Sequence, residues 1–122
     1  MTDSEKLALL QLILGDAKSS AFTQKDDLIG QYCIVRSARA GVFAGEIELR
    51  EGNEFTLRNA RRIWYWDGAA SLSQMAVEGV SRPGNCKFAI AVPLVRLLNV
   101  IEIIPTTEAA RKNIEGVPEW KA

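Results

Sequence analysis

The sequence predicts a mainly β, α+β fold: an antiparallel β-meander sheet or small barrel with three short helical additions. Three observations carry that expectation. From Ile29 onward the apolar pattern repeats every second residue, the period of a half-buried strand. Glycine- and asparagine-rich turns separate consecutive alternating runs by only a few residues, which favours antiparallel neighbours. Helical spacing is confined to the two ends and to one short insertion after the third run.

The elements follow in order. Thr2 and Glu5 have the spacing of a capping box, and Leu7, Leu10 and Leu14 follow at helical spacing up to Gly15. Leu9, Leu12 and Ile13 widen that stripe, so the helix is expected to bury itself against the body or another copy. Asp16 to Asp27 is polar and reads as a connector. The chain is thus divided into residues 1–28, helix and connector, and residues 29–122, a β domain with a short C-terminal helix, together forming one domain.

Gln31 to Arg36 alternates as a strand, Ser37 to Gly41 turns, and Val42 to Arg50 alternates again. Glu51-Gly52-Asn53 is a hairpin turn, and Glu54 to Trp66 returns as a long strand with a bend expected near Asn59 and Ala60. Ser71 precedes Leu72, Met75 and Ala76 and is placed to cap one or two helical turns. Ser81 to Asn85 forms a turn, and Lys87 to Val92 reads as a fourth strand. Pro93 interrupts it and marks an edge or a bulge. Leu94 to Ile104 carries one or two further strands about Asn99. Pro105-Thr106-Thr107 opens a helix through Asn113, stopped by Gly116 and Pro118, after which Trp120 is expected to dock on the sheet.

Composition narrows the function classes. At 122 residues, 48% hydrophobic and 25% charged, the chain can build a core without metal or disulfides. Fifteen basic and fifteen acidic residues cancel, so no global field draws the chain to long nucleic acid or to anionic membranes. No stretch reaches the ~20 apolar residues of a spanning helix, and no leader pattern is present, which predicts a soluble intracellular protein. The sequence contains no histidine, which removes Ser-His and Cys-His nucleophile pairs and histidine metal sites. Cys33 and Cys86, far apart and both expected in strands, read as small apolar packing residues rather than zinc ligands or a disulfide. Glu46, Glu48 and Glu51 read as a solvated strand face. No catalytic residues, metal or cofactor are expected, and the chain reads as a non-enzyme.

One stretch does not fit a purely structural strand. Arg58 to Ala76 holds Trp64 and Trp66, Tyr65, and the cations Arg58, Arg61 and Arg62. Side-chain alternation puts Arg62, Trp64 and Trp66 on one face and Arg61, Ile63 and Tyr65 on the other. Guanidinium forks pair bidentately with phosphate oxygens and aromatic faces stack bases, so the run suits a small planar, phosphorylated ligand. The structural alternative is arginine stacked on tryptophan as packing. Single-strand nucleic-acid binding uses the same residue types, but a polymer groove needs cations along its length.

Gly41-Val42-Phe43-Ala44-Gly45, Arg50-Glu51-Gly52 and the run Asn59 to Ser73 (NARRIWYWDGAASLS) resemble a family of small phage-encoded proteins, the first family of phage Thoeris anti-defence proteins. Cys86-Lys87-Phe88 and the ending Ile101 to Trp120 add to the likeness, which covers residues 29 to 120. The resemblance implies a sponge: a homo-oligomer, dimer or hexamer, that holds a cyclic ADP-ribose isomer in the host cytoplasm without cleaving it, with some members taking cyclic oligonucleotides.

Chemistry within the matching blocks selects the candidate ligand residues. Arg58, Arg61 and Arg62 are candidate pyrophosphate or ribose partners, or else surface ion pairs. Trp64 and Phe43 are candidate stacking faces, or else core. Asn59 reads a purine edge or forms a turn. Ser71 offers a phosphate the N–H groups of a helix start, and Arg111 is a lid contact or a solvated helix residue. The alternative readings are a non-catalytic protein-interaction or structural module of a phage, or a single-stranded nucleic-acid-binding β domain.

Overall fold

A computed structural model describes residues 27–122. The helix expected over the N-terminal leucines lies outside the described residues, as does all but the last residue of the connector. The described chain is mainly β, as the alternation requires. β1 (Tyr32–Ser37), β2 (Gly41–Glu51) and β3 (Glu54–Tyr65) form the antiparallel meander. α1 (Leu72–Glu78) follows, then a 3-10 turn (Pro83–Asn85), β4 (Lys87–Phe88), β5 (Val92–Leu97), β6 (Val100–Pro105) and α2 (Glu108–Glu115). β6 pairs with the free side of β1, whereas β5 and β4 share the outer side of β3.

This topology makes the sheet curl. β5 and β6 occupy opposite margins of the meander, yet only Leu98 and Asn99 separate them in the chain. The amide of Ala38, in the β1–β2 turn, donates to the Asn99 carbonyl at 2.9 Å, and the amide of Val100 donates to Asn53, in the β2–β3 turn, at 3.0 Å. The two ends of a straight eleven-residue strand would stand about 35 Å apart. Both ends of β2 meet the same short link, so the strand is rolled into a small barrel.

The bend has a local cause in β2 and β3. Pairing slips between Ala44 and Glu46, opposite Asn59, whose φ of 52° is left-handed. Asn tolerates that region better than most residues. Gly45 sits in the fold of the crease. A Cβ there would stand 3.0 Å from the Cα of Ala60, so only glycine lets the strands approach this closely.

Alternation then divides the side chains between two cores. Inside the barrel lie Cys33, Val35, Phe43, Ile47, Phe55, Leu57, Ala60 and Leu97. On the outer face of the sheet, Tyr32, Ile34, Ala44, Ile63 and Phe88 meet Met75 and Ala76 of α1 and Ile114 of α2. Ser71 caps α1 by accepting from the Gln74 amide, and Thr107 caps α2 by accepting from the Ala110 amide. Asn113 locks the helices together: its Oδ1 accepts from the Val80 amide at 2.8 Å and its Nδ2 donates to the Val80 carbonyl at 2.9 Å.

Three expectations are corrected. The fourth strand is not Lys87 to Val92: β4 is only Lys87–Phe88, and Val92 begins β5 with Pro93 inside it. Pro93 is tolerated because β5 is an edge strand and the residue falls opposite the Asn59 bulge. Trp66 does not share a face with Arg62 and Trp64. A register shift between Ile63 and Tyr65 ends β3, and Trp66 turns onto the helix-covered core. Cys86 lies just before β4 rather than in a strand; both cysteines are buried free thiols.

Candidate functional site

The register of β3 assigns its two neighbouring arginines to different tasks. Arg61 points to the helix side and is 4% exposed. Its guanidinium donates to four main-chain carbonyls: Ala89 (2.9 Å), Phe88 (3.1 Å), Ile114 (2.9 Å) and Val117 (2.8 Å). A planar fork with five N–H groups can satisfy that many diverging carbonyls at once, and an ammonium cannot. Burial lowers its pKa from the ordinary arginine value. Arg61 ties Phe88 at the end of β4 and the next residue, Ala89, to the end of α2, and four of its five donors are committed to that.

Arg62 points the other way, toward the mouth of the barrel, and is half-buried. Its guanidinium carbon lies 4.7 Å from the centre of the Phe43 ring and 5.4 Å from that of Trp64. Phe43 sits directly across the β2–β3 pair, and Trp64 is two residues along the same strand face, so the strand period builds the stack. Among the described residues no carboxylate pairs with Arg62, and its Nε is buried with no hydrogen-bond partner. Leaving such a donor unpaired costs about 1–3 kcal/mol.

Two clefts meet at this side chain. One, of about 270 Å³, is walled by Phe43, Arg62 and Trp64 with Ile90, Val92 and Val95. The other, of about 410 Å³, runs from Arg62 along Ser37 to Ala40 and Val95 to Asn99. Trp64 is 58% exposed and meets Trp120 edge to face at 6.4 Å, and Lys87 stands 5.3 Å from the Trp120 ring. Rings and cations therefore line one surface in the order Phe43, Arg62, Trp64, Trp120 and Lys87, the two tryptophans being adjacent. This row offers flat faces for a planar group beside two positive charges.

The structure brings Phe43, Arg62 and Trp64 together and separates the other candidates. Arg58 is exposed and engaged with Glu48, its Nε 2.9 Å from the carboxylate; that hydrogen bond, first, and the Glu48 charge raise its pKa. Ser71 and the α1 start line neither Arg62 cleft, and the Ser71 hydroxyl is spent on the helix cap. Arg111 lies on the helix side, stacked 4.9 Å from the Tyr32 ring and paired with Glu115 (3.2 Å) and Glu46 (3.6 Å). Burial pulls its pKa down, but the Glu115 and Glu46 carboxylates outweigh that and the net shift is upward.

Asn59 and Arg61 line a third cleft of about 250 Å³ on that same side, with Tyr32, Ala91, Val117, Glu115 and Glu119. Tyr32 is 4% exposed, and its hydroxyl is buried without a partner. Desolvation by burial, then the Glu115 charge, raises its pKa above the ordinary phenol value.

Sequence reasoning missed Tyr32, Lys87, Ile90, Val92 and Val95. Tyr32 starts a strand whose even residues face the helices, a weak signal visible in the alternation. Ile90, Val92 and Val95 come to Arg62 because β5 pairs with β3, and Lys87 comes to Trp120 through β4; no local pattern records these long-range pairings.

Among the described residues, no helix is long and apolar enough to cross a membrane, and no group of three His, Cys, Asp or Glu residues is arranged to hold a metal ion. No curated protein and no solved structure matches the chain. A family model described as a domain of unknown function, DUF6948, matches residues 30–114. That span runs from the approach to β1 through most of α2 and takes in both Arg62 clefts and the Tyr32, Asn59, Arg61 and Ala91 wall of the third, so the chain belongs to the DUF6948 family.

Proposed function

We propose that this protein binds a small phosphorylated ligand with a planar base on the Arg62 surface and holds it without chemical change. The observation that carries this reading is Arg62 itself: a half-buried guanidinium between Phe43 and Trp64, without a carboxylate partner among the described residues, at the junction of two clefts. A phosphate accepts from the orphaned Nε and an adjacent Nη, and a base stacks on Trp64. Zero net charge favours a short ligand over a polymer. The likeness to the Thoeris anti-defence family supplies the ligand and setting: a cyclic ADP-ribose isomer, or a cyclic oligonucleotide, sequestered by a homo-oligomer in the host cytoplasm.

Titration calorimetry with a panel of cyclic ADP-ribose isomers and cyclic di- and trinucleotides tests it. Binding should appear for at least one, weaken about tenfold or more in Arg62→Ala, and release the ligand intact on heating. No heat from any member of the panel would sink the proposal.

The exposed Trp64, Trp120 and Ile90 favour a second reading, a protein-interaction surface. In that case Trp64→Ala lowers the molar mass of the assembly in light scattering and leaves the nucleotide panel equally silent before and after substitution.

A further inference from the structure

The Tyr32 cleft lies on the opposite face of β3 from Arg62 and has its own unspent hydrogen-bonding capacity. Four of the five Arg61 N–H groups are used, which leaves one on Nη2. The Tyr32 hydroxyl is buried without a partner among the described residues. The Glu115 carboxylate accepts from Arg111 through Oε2, and Glu119 pairs with Lys121 through Oε1, so each has a second oxygen. The Asn59 side chain, held at the bulge, adds an amide.

The electrostatics exclude the simplest ligands. Two carboxylates at the cleft oppose a phosphate, whose only counter-charge among the lining residues is a guanidinium already bonded to four carbonyls. The same guanidinium opposes a metal ion or an ammonium. What fits is a neutral group that presents N–H donors to the carboxylates and a carbonyl to Arg61 and Tyr32. At about 250 Å³ the space falls just below the roughly 300–1,000 Å³ of sites for larger ligands, so it takes a single ring system. Ala91 and Val117 supply apolar walls.

We propose that the Tyr32–Arg61–Glu115 cleft binds an oxopurine base of the guanine type, with Glu115 or Glu119 accepting its adjacent ring and amino N–H groups and Arg61 and Tyr32 donating to its carbonyl. A carboxylate matches two parallel donors, and the carbonyl next to them is the acceptor that the buried hydroxyl lacks. Adenine reverses the pattern and would turn an acceptor toward the carboxylate. The site is separate from the Arg62 surface and does not depend on what binds there.

Guanosine, adenosine and inosine titrated into the full chain at up to millimolar concentration, followed by amide chemical shifts, test the assignment. Guanosine should shift the amides around Tyr32, Asn59 and Glu115; inosine, which lacks the amino group, should bind at least about fivefold more weakly, and adenosine should not bind. Tyr32→Phe removes a hydroxyl that holds no partner, so it should fold normally and lose about fivefold or more in guanosine affinity; Glu115→Gln is the second variant. Arg62→Ala should leave guanosine binding unchanged, so this site and the Arg62 surface can fail separately. Equal binding of adenosine, no shift with guanosine, or unchanged affinity in both Tyr32→Phe and Glu115→Gln would overturn it.

Discussion

Arg61 and Arg62 are consecutive and identical in chemistry, and the pleat makes one structural and the other available. Arg61→Lys keeps the charge but cannot reach four diverging carbonyls. It should therefore destabilise the fold by on the order of 3 kcal/mol, read by denaturant titration, with little rescue relative to Arg61→Ala. Arg62→Ala removes a guanidinium with an unsatisfied Nε and should leave stability within about 1 kcal/mol of the parent in the same titration. Asp67 is a third instructive residue. Hydrogen bonds from Asn85 (3.0 Å) first, then Arg82 (3.0 Å), hold its carboxyl below the usual aspartate range. A depressed folded pKa stabilises the fold above the unfolded value of 3.8, and that contribution is lost as pH falls through the lower folded value. Asp67→Asn should flatten the stability profile below about pH 4 in acid titrations followed by circular dichroism.

Single side chains and creases also decide how the elements join. Asn113 of α2 clamps the Val80 main chain just past α1, beside the bonds that Thr107 donates to the Ala76 and Val77 carbonyls. Asn113→Ala leaves the Val80 N–H and C=O without their partner and should cost about 2 kcal/mol, with hydrogen exchange speeding first at the end of α1. The crease of β2 against β3 is equally specific. Gly45→Ala places a methyl 3.0–3.2 Å from Ala60 and the Arg58 carbonyl, against main chain that cannot yield, and should cost about 1–3 kcal/mol in thermal unfolding. Much of this level was legible in the sequence. Alternation and the Gly52-Asn53 turn locate β2 and β3, and Ser71 and Gly116 bound the helices as expected, although α2 is Glu108–Glu115 and Pro105 ends β6 instead of opening the helix. The bend expected near Asn59 and Ala60 is present as a bulge, but register was not legible: the pairing slip there and the slip before Tyr65 are set by the partner strands. Those two slips explain why Trp66 leaves the Arg62 face and why Asn59 joins the Tyr32 cleft.

At the scale of the whole molecule, two cores back to back on one curled sheet leave buried titratable groups in both. Burial pushes the Cys33 thiol, inside the barrel, up to about 11, and raises the Tyr32 phenol on the helix side. Folded values above the unfolded ones favour the fold fully below about pH 9 and lose that contribution as pH rises toward the folded values. Denaturant midpoints should therefore fall between about pH 9 and 11, and Cys33→Ala should remove the thiol's part of that slope. The eight candidate site residues show the same limit of sequence reading. Phe43, Arg62 and Trp64 meet because strand pairing brings them together, whereas Arg58, Ser71 and Arg111 carry the right chemistry on other surfaces. Residue type, and the opposite facing of Arg61 against Arg62 and Trp64, were visible in the sequence; which surface Arg58, Asn59, Ser71 and Arg111 reach was not.

The link at Leu98 and Asn99, bonded to the turns at both ends of β2, also bears on how the chain reaches this structure. Ser37 bonds Leu98 across 61 positions of sequence, and Tyr32 bonds Thr106 across 74. The meander can form early from local hairpins, but it stays an open sheet with an unfilled interior until the last two strands arrive. Loop closure of that span must precede its reward, which places the chain among slow, topology-limited folders, in the millisecond-to-second range. Stopped-flow refolding should show substitutions in the β2–β3 hairpin slowing folding, and substitutions at Leu97 or Val100 mainly speeding unfolding. A nascent chain halted before β5 would expose the barrel lining, and with it the unpaired outer side of β3, to any neighbour able to add a strand.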